Sequence, residues 1–131
     1  MYYVYPALFR PNPSGGYIVT VPDASGCVTG GDSLKEAMHM IKDALSVYMC
    51  SLEDHHEAIP SASAPSEIAI DEPGAFTTLV EVDTTQYRAE TDSRSVRKNV
   101  SLPAWLSFKA EQAHINCSQV LQEALRERLN L

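Results

Sequence analysis

The sequence predicts an α+β protein: an N-terminal antiparallel β-β-β-α-β layer, then a small strand-helix-helix unit completed by a second copy of itself. Three observations carry this. Short apolar runs before residue 32 are separated by clusters of Gly, Pro, Asn and Ser, as in hairpins. One long stripe of apolar residues at 3.6-residue spacing begins at a helix-start signal at Ser33. Beyond residue 95, a short alternating segment leads into two helix patterns too small to enclose a core.

Tyr2 to Phe9 is apolar or aromatic at nearly every position, as in a strand covered on both faces. Asn12-Pro13-Ser14-Gly15-Gly16 is a turn cluster, and Tyr17 to Val21 is the returning strand of a hairpin. A second turn, Pro22 to Gly26, precedes a short strand, Cys27-Val28-Thr29. Ser33 and Glu36 have capping-box spacing, the hydroxyl taking the third helical amide and the carboxylate reaching back. Leu34, Ala37, Met38, Ile41, Leu45, Tyr48, Met49 and Leu52 then form one apolar stripe, opposite Lys35, His39, Lys42 and Asp43. Residues 53–75 read as a loop, and Phe76 to Asp83 as a strand that rejoins the sheet. Residues 84–95 are polar without periodicity and read as a linker, giving units at 1–83 and 96–131.

Charge divides along the same line. Residues 1–83 hold three Lys/Arg against twelve Asp/Glu, a net −9, whereas residues 84–131 hold seven against five, a net +2. An acidic body repels phosphates and a mildly basic tail accepts them, so the two ends suit two different partners. The plainer reading of the acidic end is a solubilising surface. No apolar run approaches the roughly 18 residues of a membrane span, and the start lacks the basic and apolar segments of a signal peptide. A cytoplasmic location without membrane attachment is therefore expected. Cys27, Cys50 and Cys117 are odd in number and form no CxxC pair, so they read as reduced, mostly buried thiols. His39, His55, His56 and His114 show no metal-ligand spacing, and neither metal nor cofactor is expected.

The tail carries the most specific chemistry. Alternation places Arg97, Asn99 and Ser101 on one face of its strand, with Val96, Lys98, Val100 and Leu102 on the other. Two such strands paired about a two-fold axis make a ribbon that enters the roughly 12 Å major groove of DNA. Arg97 suits guanine, Asn99 suits adenine, and Ser101 serves base or phosphate. Pro103 fits a first helical turn. Trp105, Leu106, Ala110 and Ala113 then form one apolar face. Ser118 is placed as the cap of the second helix, whose first amides make a phosphate anchor, and Val120, Leu121, Ala124, Leu125 and Leu129 are placed in the dimer core. Periodicity alone favours an ordinary edge strand with a polar outer face; the two helices that follow turn the reading toward a DNA-binding ribbon.

Several short motifs occur in order: Tyr5-Pro6-Ala7-Leu8-Phe9, Gly15-Gly16-Tyr17, Val21-Pro22-Asp23, Gly26-Cys27-Val28-Thr29 and Gly31-Asp32-Ser33-Leu34-Lys35-Glu36-Ala37. Followed by the amphipathic helix, this series resembles HicB-type antitoxins. Leu102-Pro103-Ala104-Trp105-Leu106 and the run Ser118 to Leu125 resemble the ribbon-helix-helix end that many of them carry. The resemblance implies a partial RNase H-like N-terminal layer that blocks a small toxin, HicA. It further implies that HicA is a double-stranded-RNA-binding-like mRNA endoribonuclease acting independently of the ribosome. The tail dimer is then implied to bind operator DNA and repress the operon encoding both proteins. Contacts between N-terminal layers would extend that dimer to a tetramer. The Pro22–Asp23 turn is the candidate toxin contact. His114 stands where relatives commonly have Gly, and Lys98, on the inward face, stands where an apolar residue is usual; its stem would lie along the core while its ammonium reaches phosphate.

Two other readings compete. Asp23, Asp32, Glu36 and Asp43 would make a metal-dependent RNase H-like nuclease if they converged, although capping and turn roles already account for three of them. A ligand-sensing repressor would need polar groups converging on an apolar pocket, and the sequence points to none.

Overall fold

The computed structural model describes residues 1–131, which divide into two compact units, Met1–Ser93 and Arg94–Leu131. The first contains β1 (Tyr2–Pro11), β2 (Tyr17–Thr20), β3 (Val28–Gly31), α1 (Leu34–Asp54), β4 (Phe76–Asp83) and α2 (Thr84–Thr91). The second contains α3 (Ala104–Gln112) and α4 (Cys117–Leu129).

All strand pairs are antiparallel, in the spatial order β3-β2-β1-β4. The β1–β2 turn closes through Asn12, which bonds the Gly16 carbonyl and whose own carbonyl and side chain take the Gly15 amide and the Ser14 amide and hydroxyl. Gly16 is required there twice over: its φ is +75°, and a Cβ would fall 2.1 Å from the Gly31 carbonyl oxygen. Pro6 is tolerated in a central strand because β2 pairs with β1 only from Leu8 onward, leaving Pro6 outside the doubly paired stretch.

The core lies between the sheet and α1. Tyr5, Ala7, Phe9, Val19, Val80 and Val82 come from alternate strand positions and meet Ala37, Ile41, Leu45, Met49 and Leu52. At one end Phe9 stacks on Phe76 at 5.1 Å, and Tyr17 stands edge-on to both. Ser33 caps α1 by accepting from the Glu36 amide at 3.1 Å, while the Glu36 carboxylate reaches the Asp32 amide, one residue beyond the reciprocal partner expected. The helix ends with His56 at φ +52° and a bond from the Glu57 amide to the Leu52 carbonyl, a Schellman closure built without glycine. Pro6 and Leu8 are buried although alternation turns them away from α1, so both faces of β1 are covered, as its composition predicts. The 55–75 connection is fastened by Tyr5 Oη donating to the Pro60 carbonyl and by Ser63 on Asp23, and contains a 3-10 turn at Pro65–Glu67 that contacts β4.

Two expectations need correction. Residues 84–95 are not all linker, because Thr84–Thr91 form α2 and the first unit runs to Ser93. Asp83 caps this helix by accepting from the Thr85 and Gln86 amides, and it docks through polar groups that leave no apolar periodicity to read. The expected strand Val96–Leu102 is not formed within the single chain. Its ladder bonds have no intrachain partner; in a ribbon they come from a second copy.

Candidate functional site

Within Arg94–Leu131, α3 and α4 follow one another with almost no interior. Only Ser107, Ala110 and Leu121 are partly covered, while Trp105, Phe108, Val120, Leu125 and Leu129 are each about half exposed or more. An exposed cation–π contact, Lys109 Nζ at 6.0 Å from the Trp105 ring, is the one aromatic interaction of this unit. Arg97, Lys98, Asn99 and Ser101 are all exposed in the segment before α3.

The cap of α4 is Asn116, whose Oδ1 accepts from the Gln119 amide at 3.2 Å. Ser118 lies inside the helix, exposed, and does not cap it, which corrects the sequence assignment. The reason is register: the helix starts two residues earlier than the Ser spacing suggests, and Asn is as good a cap as Ser. Cys117 is exposed, unlike the buried Cys27 and Cys50. Between the helices His114 adopts φ +55°, and the Ile115 amide bonds the Ala110 carbonyl. The left-handed turn expected at this position is therefore made by a histidine.

In the first unit the four carboxylates considered for metal chemistry are each engaged or apart. Asp23 accepts the Ser63 amide at 2.9 Å and hydroxyl at 2.6 Å, Glu36 holds the Asp32 amide, and Asp43 faces Tyr87. No group of three His, Cys, Asp or Glu side chains is placed to hold a metal ion. Pro22 is exposed at its turn, whereas Asp23 is half-buried and holds the 55–75 connection. An open groove of about 620 Å³ runs between α1, β4 and α2, with Asp43, Glu81, Asp83 and Glu90 along it beside His39 and Lys42.

A polar hub that the sequence did not disclose ties α2 to α1. Glu53 accepts from Tyr3 Oη at 2.6 Å, Thr84 Oγ1 at 2.9 Å and Arg88 at 3.2 Å, and Arg88 also reaches Asp54 at 2.9 Å and the Cys50 carbonyl. Burial pushes the Glu53 carboxyl up, but the bonds from Tyr3, Thr84 and Arg88 outweigh it and hold the group below its ordinary range. Burial and the bond to Glu53 push the Tyr3 phenol up to about 12. Asp83 with Gln86 three residues later was the readable trace of this helix.

The family model for HicB-like antitoxins of bacterial toxin-antitoxin systems matches residues 5–124. The chain belongs to this family. Among HicB relatives, the Escherichia coli K12 antitoxin HicB is 37% identical over 59 residues, 45% of this chain and 43% of that protein. An uncharacterised 14.9 kDa protein of Haemophilus phage HP1 is 33% identical over 100 residues, 74% of this chain and 71% of that one. The crystal structure of Burkholderia pseudomallei antitoxin HicB superposes with a TM-score of 0.56 at 27% identity, covering 97% of this chain and 98% of that one. The fold is also shared with a chain of a toxin-antitoxin complex from Streptococcus pneumoniae, at TM-score 0.61 and 22% identity over 98% of this chain and 99% of that one. The HicB relatives are antitoxins rather than enzymes. No helix of this HicB-like chain is long and apolar enough to cross a membrane.

Proposed function

We propose that this HicB-like antitoxin neutralises a HicA-type mRNA endoribonuclease with its first unit and represses its own operon with a dimer of its second. The observation that carries the reading is the contrast in charge and burial between the units. Met1–Ser93 has its own core and holds four Lys/Arg against fourteen Asp/Glu, a net −10. Arg94–Leu131 buries no side chain and holds six Lys/Arg against three Asp/Glu, a net +3.

An RNase must carry positive potential where it holds RNA, so an acidic surface competes for that site and speeds the encounter. Of the candidate turn, Pro22 is available for contact, while Asp23 holds the turn in shape. Solved relatives support such a partner, one of them a HicA3 and HicB3 toxin-antitoxin complex.

In the second unit a second copy supplies both missing parts, a strand to pair with residues 96–102 and an apolar cover for Val120, Leu125 and Leu129. Arg97, Asn99 and Ser101 then face the bases. Lys98 lays its stem inward with its ammonium toward phosphate, and the first amides of α4, with Ser118 beside them, take a backbone phosphate. The cytoplasm is the compartment where both operator and mRNA are met.

The test is binding of the full chain to DNA upstream of its own gene, against scrambled DNA, at two salt concentrations, together with co-purification of the small basic protein encoded beside it. Specific, salt-sensitive binding and a stable complex are expected. Equal affinity for both DNAs removes the repressor half of the reading, and failure of the basic protein to co-purify removes the antitoxin half.

A further inference from the structure

We propose that Arg10, on the outer face of the sheet, anchors the basic toxin by taking one of its carboxylates. The inference rests on the reading that the first unit binds such a toxin, and adds to it a surface and a residue. Alternate residues of β1 turn away from α1, among them Pro6, Leu8 and Arg10. Arg10 stands opposite Ile18, and Ile18 opposite Gly30, so one row crosses three strands. The next row carries Leu8 and Val28, each opposite Thr20. Leu8 is buried, but Ile18 is 38% and Val28 59% exposed, and Gly30 raises no side chain. This end of the face is low, apolar and open.

Arg10 is partly buried, its Nε is wholly covered, and neither a hydrogen bond nor an ion pair reaches its guanidinium. That Nε is the one buried side-chain nitrogen or oxygen of the chain without a partner. Asp71 and Glu72, in the turn that leads into β4, make no bond with it. Arg88, the other arginine of this unit, holds two carboxylates and a carbonyl. A desolvated donor left unpaired costs the free protein stability, and arginine is among the residues that most often anchor interfaces. With Nε covered, the edge left to a partner is the Nη1/Nη2 end, on a side chain already held by packing. A carboxylate suits that end, being planar and able to accept two bonds. A nucleic-acid phosphate would suit it too, but a unit of net −10 repels one. A basic protein is drawn in by that charge and then located by one carboxylate among its cations. A basic protein without that carboxylate sets a cation or an apolar group against Arg10 and is rejected, so the residue also sets specificity.

The experiment measures association and dissociation of the full chain with the purified basic protein encoded beside it, for the wild type, Arg10→Met, Arg10→Lys and Arg10→Glu. Thermal unfolding of each free variant is recorded alongside. Arg10→Met keeps the stem and removes the unpaired charge, so the free protein should unfold at the same temperature or higher. Its complex should nevertheless dissociate about thirtyfold faster or more, with association nearly unchanged. Arg10→Lys should recover only part of the loss, because an ammonium cannot make the planar pair. Arg10→Glu should bind most weakly, and be rescued by changing one Asp or Glu of the basic protein to Arg. Wild-type dissociation of Arg10→Met, or rescue of Arg10→Glu at no position, overturns the proposal. So does a fall in the unfolding temperature of free Arg10→Met that accounts for the lost affinity, which would make Arg10 a structural residue. A wild-type chain that does not bind the basic protein removes the antitoxin reading and this proposal together, whereas binding indifferent to Arg10 removes this proposal alone.

Discussion

The two units solve the same problem in opposite ways. Met1–Ser93 lays one long helix over a four-stranded sheet and encloses Phe9, Ile41, Leu45 and Met49 completely. Arg94–Leu131 has comparable apolar residues at helical spacing, yet encloses none of them. Two helices of nine and thirteen residues can cover only each other, and one shared face is not a core. On the proposed function, the stability of the first unit is therefore a property of one chain, and that of the second a property of concentration.

The sharpest way to break this comparison is to delete one large side chain from each unit. Phe9→Ala removes a ring that touches both Phe76 and Tyr17 and leaves a cavity the sheet cannot close. A loss of about 3–5 kcal/mol is expected in denaturant titration, with a midpoint independent of protein concentration. Leu125→Ala should leave that midpoint in place and instead weaken dimerisation, seen as a shift in the concentration at which the tail associates. A concentration-dependent midpoint for Phe9→Ala would erase the distinction between the units.

That distinction was legible because hydrophobic period and turn chemistry are local. The strand runs, the Gly15-Gly16 turn, the Ser33 cap and the α1 stripe each declare themselves within a dozen residues, and all stand where the sequence places them. What escaped was written in polar contacts across the chain. α2 has no apolar stripe, and its place depends on Thr84 and Arg88 finding Glu53 more than 30 residues away. Asp23 read as a turn residue and candidate toxin contact, and its bond to Ser63 escaped because that partner lies 40 residues on. At α4 the error was small and local, since Asn116 and Ser118 are both acceptable caps and the backbone chose the earlier one.

The next effect in size concerns the tail. Arg97→Ala and Asn99→Ala should each reduce discrimination between operator and scrambled DNA by about 1–3 kcal/mol, while Lys98→Ala should weaken both similarly and flatten the salt dependence. Binding to the toxin should be unchanged in all three, because the acidic unit is untouched. Parallel loss of DNA and toxin binding would show that the units are not separable.

Smaller again is the tie between α1 and α2. A carboxyl held below its ordinary range, as in Glu53, adds stability that is present above its unfolded value of about 4.3 and disappears as pH falls through the lower folded value. Tyr3 has the opposite sign: its phenol, raised to about 12, adds stability below pH of about 10 that is lost as pH climbs through the folded value. Protection of the Thr84–Thr91 amides, measured against the intrinsic exchange rate at each pH, should fall on acidification in the wild type and be low at all pH values in Glu53→Gln. Arg88→Ala should cost little, since its ion pairs are largely solvated. Slow exchange in α2 of Glu53→Gln would mean that the helix is held by something other than this hub.

The finest comparison is among three helix ends that close in the same way. His56, His114 and Asn130 all take positive φ, at 52°, 55° and 59°, and each is followed by an amide that bonds back into the last turn. A β-carbon in that conformation costs about 1–2 kcal/mol, and glycine returns part of the gain through its greater freedom in the unfolded chain, about 0.5–1 kcal/mol. Asn tolerates the left-handed region better than His because its short side chain bonds locally. His56→Gly should therefore stabilise the first unit by about 0.5–1 kcal/mol, and His114→Gly the second by a similar amount at fixed protein concentration. Asn130→Gly should change little. Measured by thermal unfolding, the order His56 and His114 above Asn130 tests whether backbone strain is what these ends share. Equal gains at all three would show that side-chain identity does not matter there, and a loss at His114 would mean that its imidazole makes a contact across the dimer worth more than the strain it carries.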